Sequence, residues 1–235
     1  MKKITAQLAG AMLMLVMTTG VASAYSINYN KTINEAEFTS SYTNLQNFQM
    51  ETFNDVALGA VNSSSTAAGL VPWVWTGSAM VVNGSVSGKY AAPYGLGATD
   101  KSNFVSVPNP LSNGSVTVAL GGLYDYFGLW WGSVDSYNTI SFYNGTTQVA
   151  SFTGTQAIQP SAANGNQTAP STNLYVNFYD LPDFNTFVMT SNGFAFEADN
   201  IAVGNVVPEP GTMVLLGFGM LGLAIYGKRR MNKDV

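Results

Sequence analysis

The fold class is decided by the stretch Thr139-Ile140-Ser141-Phe142-Tyr143-Asn144-Gly145-Thr146-Thr147-Gln148-Val149-Ala150-Ser151-Phe152. Asn144-Gly145 separates two runs rich in β-branched and aromatic residues, 139–143 and 146–152. Asn-Gly fits the positive φ angles of a type I′ turn and is the strongest short-range signal for a β-hairpin. The stretch therefore predicts two antiparallel strands joined by a tight turn.

The same turn signal recurs along the chain. Further Asn-Gly pairs stand at 83-84, 113-114, 164-165 and 192-193, and strand-like runs cover 79–82, 115–120, 174–179, 187–190 and 194–196. A polar loop is predicted over 159–172, and only 35–49 has the character of a short helix. Many short strands with turn signals between them predict an all-β fold, an antiparallel β-sandwich or jelly roll.

The densest aromatic run is 123–132, which contains Trp130 and Trp131. Both alternating faces of this run are apolar, which is typical of a central strand buried on both sides. The alternative is a sugar-stacking platform, formed by Trp130 or Trp131 with a second platform at Trp73 and Trp75, because aromatic faces suit the C–H faces of pyranose rings. The sequence leaves core packing and glycan binding both open.

The run 194–203 places Glu197 and Asp199 on one face of a strand, and its apolar phase changes near Asp199-Asn200. That change predicts a β-bulge or the end of a strand. Glu197 and Asp199 are candidate calcium ligands, because a chain without His or Cys offers oxygen ligands only. They also form a candidate glycosidase pair, with Asp180/Asp183 and Asp125/Asp135 as looser ones. No complete calcium loop is present, so calcium is at most structural and no cofactor is expected.

Composition excludes several classes of function. Between residues 25 and 206 there are three lysines, no arginine and eleven acidic residues, a net charge of about −8. Such a domain lacks the cations that neutralise phosphates, so nucleic acid is not an expected partner. The chain has no cysteine and no histidine. Disulfides, imidazole-based zinc sites and Ser-His or Cys-His mechanisms are therefore excluded.

The N-terminus has the organisation of a secretory signal peptide. Lys2 and Lys3 precede an apolar run at 8–17, and Ala22-Ser23-Ala24 supplies the small residues of a cleavage site. We expect a signal peptide over 1–24, cleavage between Ala24 and Tyr25, and signal peptidase and the secretion translocon as partners.

The C-terminus combines three features in a fixed order. Val207-Pro208-Glu209-Pro210 is followed by seventeen uncharged residues, 211–227, and then by the basic cluster Lys228-Arg229-Arg230. As a helix, 211–227 would span roughly 25 Å, near the lower limit for crossing a bilayer core. The positive-inside rule keeps the basic cluster in the cytoplasm. The prolines cannot continue a helix, so the preceding chain should be extended and open to a processing enzyme.

This arrangement resembles the PEP-CTERM sorting signal, which exosortases of Gram-negative bacteria recognise. The resemblance covers 207–235 and implies a transmembrane helix at about 211–227, processing near Pro208-Glu209-Pro210, and delivery to the cell surface or the extracellular polysaccharide matrix. The implied organisation is a signal peptide over 1–24, a β-sandwich extracellular domain over 25–206 and a sorting signal over 207–235. Any catalytic residues of the processing step belong to the exosortase.

Together these features predict an exported, non-enzymatic surface or extracellular-matrix protein, anchored in the inner membrane as a precursor and then released to the surface. Its role is expected to be structural or adhesive, in an exopolysaccharide matrix or biofilm. The alternatives are a carbohydrate-binding module with an aromatic platform, assisted by calcium, and a glycan hydrolase.

Overall fold

A computed structural model describes residues 26–30, 45–61, 72–95, 97–158, 163–207, 216 and 218–223. Most of these residues lie in β-strands, and every strand pair is antiparallel. The elements are β1 (Ser26–Asn30), β2 (Leu45–Glu51), β3 (Gly59–Ala60), β4 (Val74–Gly77), β5 (Met80–Asn83), β6 (Tyr94–Gly95), β7 (Ala98–Thr99), β8 (Asn103–Val107), β9 (Gly114–Tyr124), β10 (Tyr126–Gly132), β11 (Asn138–Asn144), β12 (Thr147–Thr153), α1 (Gly154–Ala157), β13 (Leu174–Tyr179), β14 (Phe184–Ser191) and β15 (Phe196–Val206).

Two sheets form a sandwich, as the sequence predicts. The large sheet has eight strands in the order β1-β13-β10-β15-β8-β5-β3, and β2 also pairs with β15. The small sheet has five strands in the order β12-β11-β14-β9-β4. Strands β6 and β7 form a separate two-stranded ribbon. Successive strands often lie in different sheets, so most pairings join distant parts of the chain.

The core lies between the two sheets and is largely aromatic. Phe127 of the large sheet meets Phe142 and Phe187 of the small sheet, with ring centroids 5.1 and 4.9 Å apart. Phe142 also packs edge-on against Phe178 of the large sheet at 5.6 Å. Offset and edge-to-face contacts of this kind add about 0.5–1.5 kcal/mol each beyond the area they bury. The aromatic residues therefore hold the sheets together without disulfides.

Strand β10 confirms the prediction of a central strand buried on both faces. All seven of its residues are buried, and it lies between β13 and β15. Gly128 in its middle allows a close approach, since a Cβ there would lie 2.5 Å from Tyr126 Oη and 2.8 Å from Tyr175 Oη. The side of the large sheet that carries Tyr126, Trp130 and Tyr175, opposite the core, is called the outer face below.

The predicted irregularity near Asp199-Asn200 is also confirmed. Pairing between β10 and β15 shifts register between Gly128–Ala202 and Trp130–Asp199, so that Asn200 and Ile201 oppose Leu129 alone. Asn200 has a φ of 49°. This bulge returns Ile201 and Val203 to the core, while Glu197 and Asp199 stay on the outer face.

Of the Asn-Gly pairs, only Asn144-Gly145 lies in a β-hairpin, so the prediction of a hairpin is wrong at the other pairs. Asn144 pairs with Thr147, leaving Gly145-Thr146 as a two-residue loop between β11 and β12. Gly145 has a φ of 59° while Thr146 has no positive φ, so the turn is not type I′, which needs positive φ at both central residues. The pair at 192-193 connects β14 to β15, which lie in different sheets. The structure also places strand β2 at 45–51, where a helix over 35–49 was predicted, and residues 35–44 lie outside the described part.

A long segment, 84–95 and 97–102, covers part of the outer face beside β5, β8 and β15. It contributes Tyr90 and Ala92 to a small apolar cluster with Val82 and Phe104. Tyr90 meets Phe104 edge-on at 6.2 Å between ring centroids. Val82 and Phe104 are therefore buried beneath this covering segment, although they lie outside the main core.

Candidate functional site

Two carboxyl groups predicted from the sequence, Glu197 and Asp199, lie on the outer face of β15. Glu197 stands opposite Gly132 on one side and Ser106 on the other, and Asp199 stands opposite Trp130. Both side chains are buried, with 2% exposure each. Burial of an acidic group is costly unless its oxygens are hydrogen-bonded, so the partners of each carboxyl group determine its role.

Glu197 is held by two segments that are distant in sequence. Its Oε1 accepts a hydrogen bond from the Ala91 backbone N–H at 3.0 Å, and its Oε2 accepts one from Ser133 Oγ at 2.8 Å. Burial raises the pKa of Glu197 to about 8, although these hydrogen bonds act in the opposite direction. Near neutral pH this carboxyl group is therefore largely protonated and can donate as well as accept.

Glu197 contributes to an open cavity of about 320 Å³, called the outer-face cavity below. Four segments supply its walls: 88–90 of the covering segment, 133–137 after β10, 164–167 before β13, and 194–197 at the start of β15. Its lining is mainly polar. The lining residues are Gly88, Lys89, Tyr90, Ser133, Asp135, Tyr137, Asn164, Gly165, Gln167, Phe194, Ala195 and Glu197.

Hydrogen bonds between the walls fix the shape of this cavity. The Tyr137 hydroxyl donates to the Phe194 carbonyl at 2.8 Å, and the Gly165 N–H donates to the Val134 carbonyl at 3.0 Å. Asn138 joins the 133–137 wall to the 194–197 wall, because its Oδ1 accepts a hydrogen bond from the Asp135 N–H and its Nδ2 donates one to the Ala195 carbonyl. The loops are thus tied to one another before any ligand arrives.

Asp135 and Tyr137 form a second polar pair in the cavity. Burial raises the pKa of Asp135, an effect that the nearby Tyr137 hydroxyl partly offsets. Burial also raises the pKa of Tyr137, and the Asp135 carboxylate adds to that rise. Tyr137 therefore stays neutral and can act as a hydrogen-bond donor across the ordinary pH range.

Asp199 has a different environment from Glu197 and does not line the outer-face cavity. Its Oδ2 accepts from Ser102 Oγ at 3.2 Å, and its Oδ1 accepts from the Asn200 N–H at 2.7 Å. Burial, followed by the negative charge of Asp100, raises the pKa of Asp199 well above its usual value. The two carboxyl groups of the predicted pair therefore do not face a common cavity.

Neither of the looser acidic pairs has both members in the outer-face cavity. Asp125 and Asp135 flank the seven residues of β10, which places them roughly 20 Å apart at about 3.3 Å per residue. Asp125 accepts the Val206 N–H at 2.6 Å, and Asp180 and Asp183 are close enough to raise its pKa further. None of these three acids lines the outer-face cavity.

The predicted calcium ligands do not converge either. Glu197 and Asp199 have separate hydrogen-bond partners, and calcium usually takes six to eight oxygen ligands. Within the described ranges, no group of three or more acidic residues is placed to hold a metal ion. The arrangement therefore gives the calcium interpretation no support.

The predicted aromatic platform is wrong in the form that the sequence suggested. Trp73, Trp75, Trp130 and Trp131 are at most 5% exposed, so no indole face is available to a sugar. Three of them belong to the core between the sheets, where Trp131 stacks on Phe196 at 4.2 Å and Trp75 meets Phe53 edge-on at 5.8 Å. Trp130 is buried on the outer face of β10.

Sequence reasoning missed most of the outer-face cavity. Ser133, Asp135 and Tyr137 follow directly after the buried strand β10, and a polar run at the end of such a strand is a signal that could have been used. No comparable signal marks Lys89, Asn164 or Gln167, because pairing of distant strands brings them there. A second cavity of about 380 Å³ lies along 119–123 and 185–186 and has no titratable side chain in its lining.

The predicted terminal signals lie mostly outside the described residues. These include the signal peptide 1–24 with Ala22, Ala24 and Tyr25, the motif Pro208-Glu209-Pro210 and the basic cluster Lys228-Arg229-Arg230. Val207 is described and exposed, and residues 216 and 218–223 are helical. In the part of the chain that the structure covers, no helix has both the length and the apolar character needed to cross a membrane.

Comparison with protein families supplies the evidence for the C-terminus. The model of the PEP-CTERM protein-sorting motif matches residues 206–230, which include the prolines, the apolar run and the basic cluster. The chain carries a PEP-CTERM sorting motif. This match confirms the resemblance and implies an exosortase-dependent surface protein, made as an exported, membrane-associated precursor and processed by an exosortase.

The other comparisons add little to the evidence from the PEP-CTERM sorting motif. No curated protein matches the chain. Among solved structures, it is similar to CpGH89CBM32-6 produced by Clostridium perfringens, with 17% identity, a TM-score of 0.28 and coverage of 41% of this chain and 71% of that one. It is also similar to truncated AlyQ with CBM32 and alginate lyase domains, with 13% identity, a TM-score of 0.27 and coverage of 70% and 36%. These scores are too low to transfer a function.

Proposed function

We propose that the domain over 25–206 acts, without catalysis, as a structural or adhesive component of the cell surface or exopolysaccharide matrix. The PEP-CTERM sorting motif at 206–230 carries this proposal, because it implies export of the domain to the surface. Two further observations support it. The domain has an extensive aromatic core that needs no disulfide, and none of the predicted carboxylate pairs has both members in the lining of the outer-face cavity.

The sorting step is tested in cells that contain an exosortase. We compare the wild-type chain with Pro208→Ala/Glu209→Ala and with the matched control Asp55→Ala, which changes an exposed acid outside the motif. The wild type and the control should lose the C-terminal residues by mass spectrometry and leave the inner membrane. The double variant should keep its full C-terminal mass in the membrane fraction. If the wild type also keeps its full C-terminal mass in the membrane fraction, the tail acts only as an anchor, and if the double variant is trimmed like the wild type, processing does not depend on Pro208 and Glu209.

The structural role is tested by removing the protein from such cells. Loss of matrix cohesion, restored by the wild type and by Glu197→Gln, supports a structural or adhesive role. Turnover of a matrix polysaccharide that Glu197→Gln abolishes would instead establish a hydrolase. Unchanged cohesion after removal would contradict the proposed role.

Carbohydrate binding is the alternative function, and it need not depend on the buried tryptophans. The observation that favours it is the outer-face cavity, which is open to solvent and mainly polar. Saturable binding of a glycan by the purified protein, with no turnover, would support this alternative.

A further inference from the structure

The outer-face cavity combines three properties that a binding site for a small polar molecule requires. It is concave, it has a buried polar side chain at its base, and its walls come from four tied segments. Its volume of about 320 Å³ lies at the lower end of the range of about 300–1,000 Å³ that is typical of ligand pockets. Such a volume suits a single small unit better than an extended ligand.

Resting on the proposed surface role, we propose that the outer-face cavity binds one uncharged glycosyl unit of a polysaccharide. Sugar hydroxyls donate and accept at once, so they need a lining that does both. Asp135 supplies acceptors, Lys89 supplies donors, and the amides of Asn164 and Gln167 supply both kinds of group. Tyr90, Tyr137 and Phe194 provide the apolar surface that the C–H groups of a sugar ring require.

Part of this hydrogen-bonding capacity is available to a ligand. Within the described residues, neither the Lys89 ammonium nor the Gln167 amide has a side-chain partner, and both residues are exposed at the cavity. By contrast, Ser133 and Tyr137 are already engaged with Glu197 and the Phe194 carbonyl. The site therefore has hydrogen-bonded side chains at its base and unpaired side chains at its rim. The fixed base lowers the conformational entropy that is lost when a ligand binds.

The charge of the cavity separates neutral sugars from acidic ones. Because Glu197 is largely protonated near neutral pH, the charged side chains of the cavity are Asp135 and Lys89, whose charges offset each other. Arginine, the residue best suited to bidentate recognition of a carboxylate, is absent between residues 25 and 206. A uronate placed here would lie beside the Asp135 carboxylate and would find no guanidinium partner. The cavity should therefore favour uncharged units over uronic acids.

The test is calorimetric titration of the mature protein, purified after export, with defined oligosaccharides. The probes are neutral gluco-, manno- and galacto-configured oligomers, N-acetylhexosamine oligomers and oligogalacturonate. We expect saturable binding of at least one uncharged oligomer and binding of oligogalacturonate that is at least about tenfold weaker, a difference of about 1.4 kcal/mol. Absence of binding by every uncharged probe, or equal binding of oligogalacturonate, would overturn the inference.

Two variants locate the binding. Gln167→Ala removes an exposed amide at the rim and should weaken binding about tenfold without changing the thermal midpoint, and Asp135→Asn should weaken it as well. Asp55→Asn, an exposed acid away from the cavity, is the matched control and should bind as the wild type does. Wild-type binding by Gln167→Ala would place the ligand elsewhere and refute the assignment.

The inference and the proposed surface role fail in different ways. Gln167→Ala should still be exported and trimmed at its C-terminus, because the sorting motif is intact. A correctly sorted wild-type protein that binds none of the sugars would leave the surface role standing and remove only this site. A protein that binds sugar but is never sorted would leave this site standing and remove the proposed surface role.

Discussion

The two faces of strand β10 are both buried but are built from different chemistry. Phe127, Leu129 and Trp131 face the other sheet and belong to the core. On the outer face, the Tyr126 hydroxyl donates to Asn177 Oδ1 at 2.7 Å, and Trp130 stands beside Asp199 of the neighbouring strand. On the inner face the only side-chain donor is the Trp131 indole N–H, which has no partner among the described residues, whereas side chains on the outer face hydrogen-bond to one another.

This difference explains why the cavity lies on the outer side. An apolar face is stabilised by the area it removes from water, and it accepts few polar groups. On the outer face, loops cover the sheet and supply partners for Glu197 through Ala91 and Ser133. A polar cavity can form there because both carboxyl oxygens of Glu197 keep hydrogen-bond partners. The two faces should therefore respond to different perturbations.

The largest expected effect comes from the inner face. Phe127→Ala removes a ring that contacts Phe142 and Phe187 of the opposite sheet, and should lower the free energy of unfolding by about 3–5 kcal/mol. Leu58→Ala is the control, because Leu58 is 62% exposed and should change stability by less than about 0.5 kcal/mol. Urea denaturation of both variants measures the difference. Equal losses would show that the inter-sheet core is not the main source of stability.

The inner face is the part of the fold that the sequence predicts well. Continuous apolar residues in β10 indicated burial on both sides, and the phase change at Asp199-Asn200 indicated the bulge that the structure contains. The bounds of β13 agree with the predicted strand 174–179. These features are local, because side-chain alternation within one strand records which face is buried.

The outer face and the connections between strands could not be predicted in this way. Asn192-Gly193 has the same composition as Asn144-Gly145, but the strands that follow it pair in another sheet. The outer-face cavity brings together Lys89, Asp135 and Gln167 from separate loops, and their spacing in the sequence does not predict that they are neighbours. The burial of the four tryptophans was the simpler of two open alternatives, because aromatic residues can form either a core or an exposed platform.

The next effect is a pH dependence that the outer face introduces. The pKa of Glu197 is raised from 4.5 to about 8, so between these values the folded protein keeps a proton that the unfolded chain releases. Stability should therefore be greatest below about pH 4.5 and fall by up to about 1.4 kcal/mol per pH unit until about pH 8. Glu197→Gln, which cannot ionise, should reduce this slope by about that amount.

Urea denaturation at several pH values between 5 and 9 measures the slope. Some dependence should remain in Glu197→Gln, because burial and Asp100 also raise the pKa of Asp199. Leu58→Ala, which changes an exposed side chain that does not ionise, should retain the wild-type slope. An unchanged slope in Glu197→Gln would mean that this carboxyl group is not buried as described.

The smallest effect tests the hydrogen bonding of the outer face directly. Tyr126→Phe keeps the ring but removes the hydroxyl that donates to Asn177 Oδ1 at 2.7 Å. The buried Asn177 Oδ1 then lacks this donor, which should lower the free energy of unfolding by about 1–3 kcal/mol. Tyr143→Phe removes a hydroxyl from an exposed pair with Gln148, where water can replace it, and should cost much less. If the two substitutions cost the same in urea denaturation, the outer face is no more dependent on its hydrogen bonds than the exposed surface, and its contrast with the inner face would be lost.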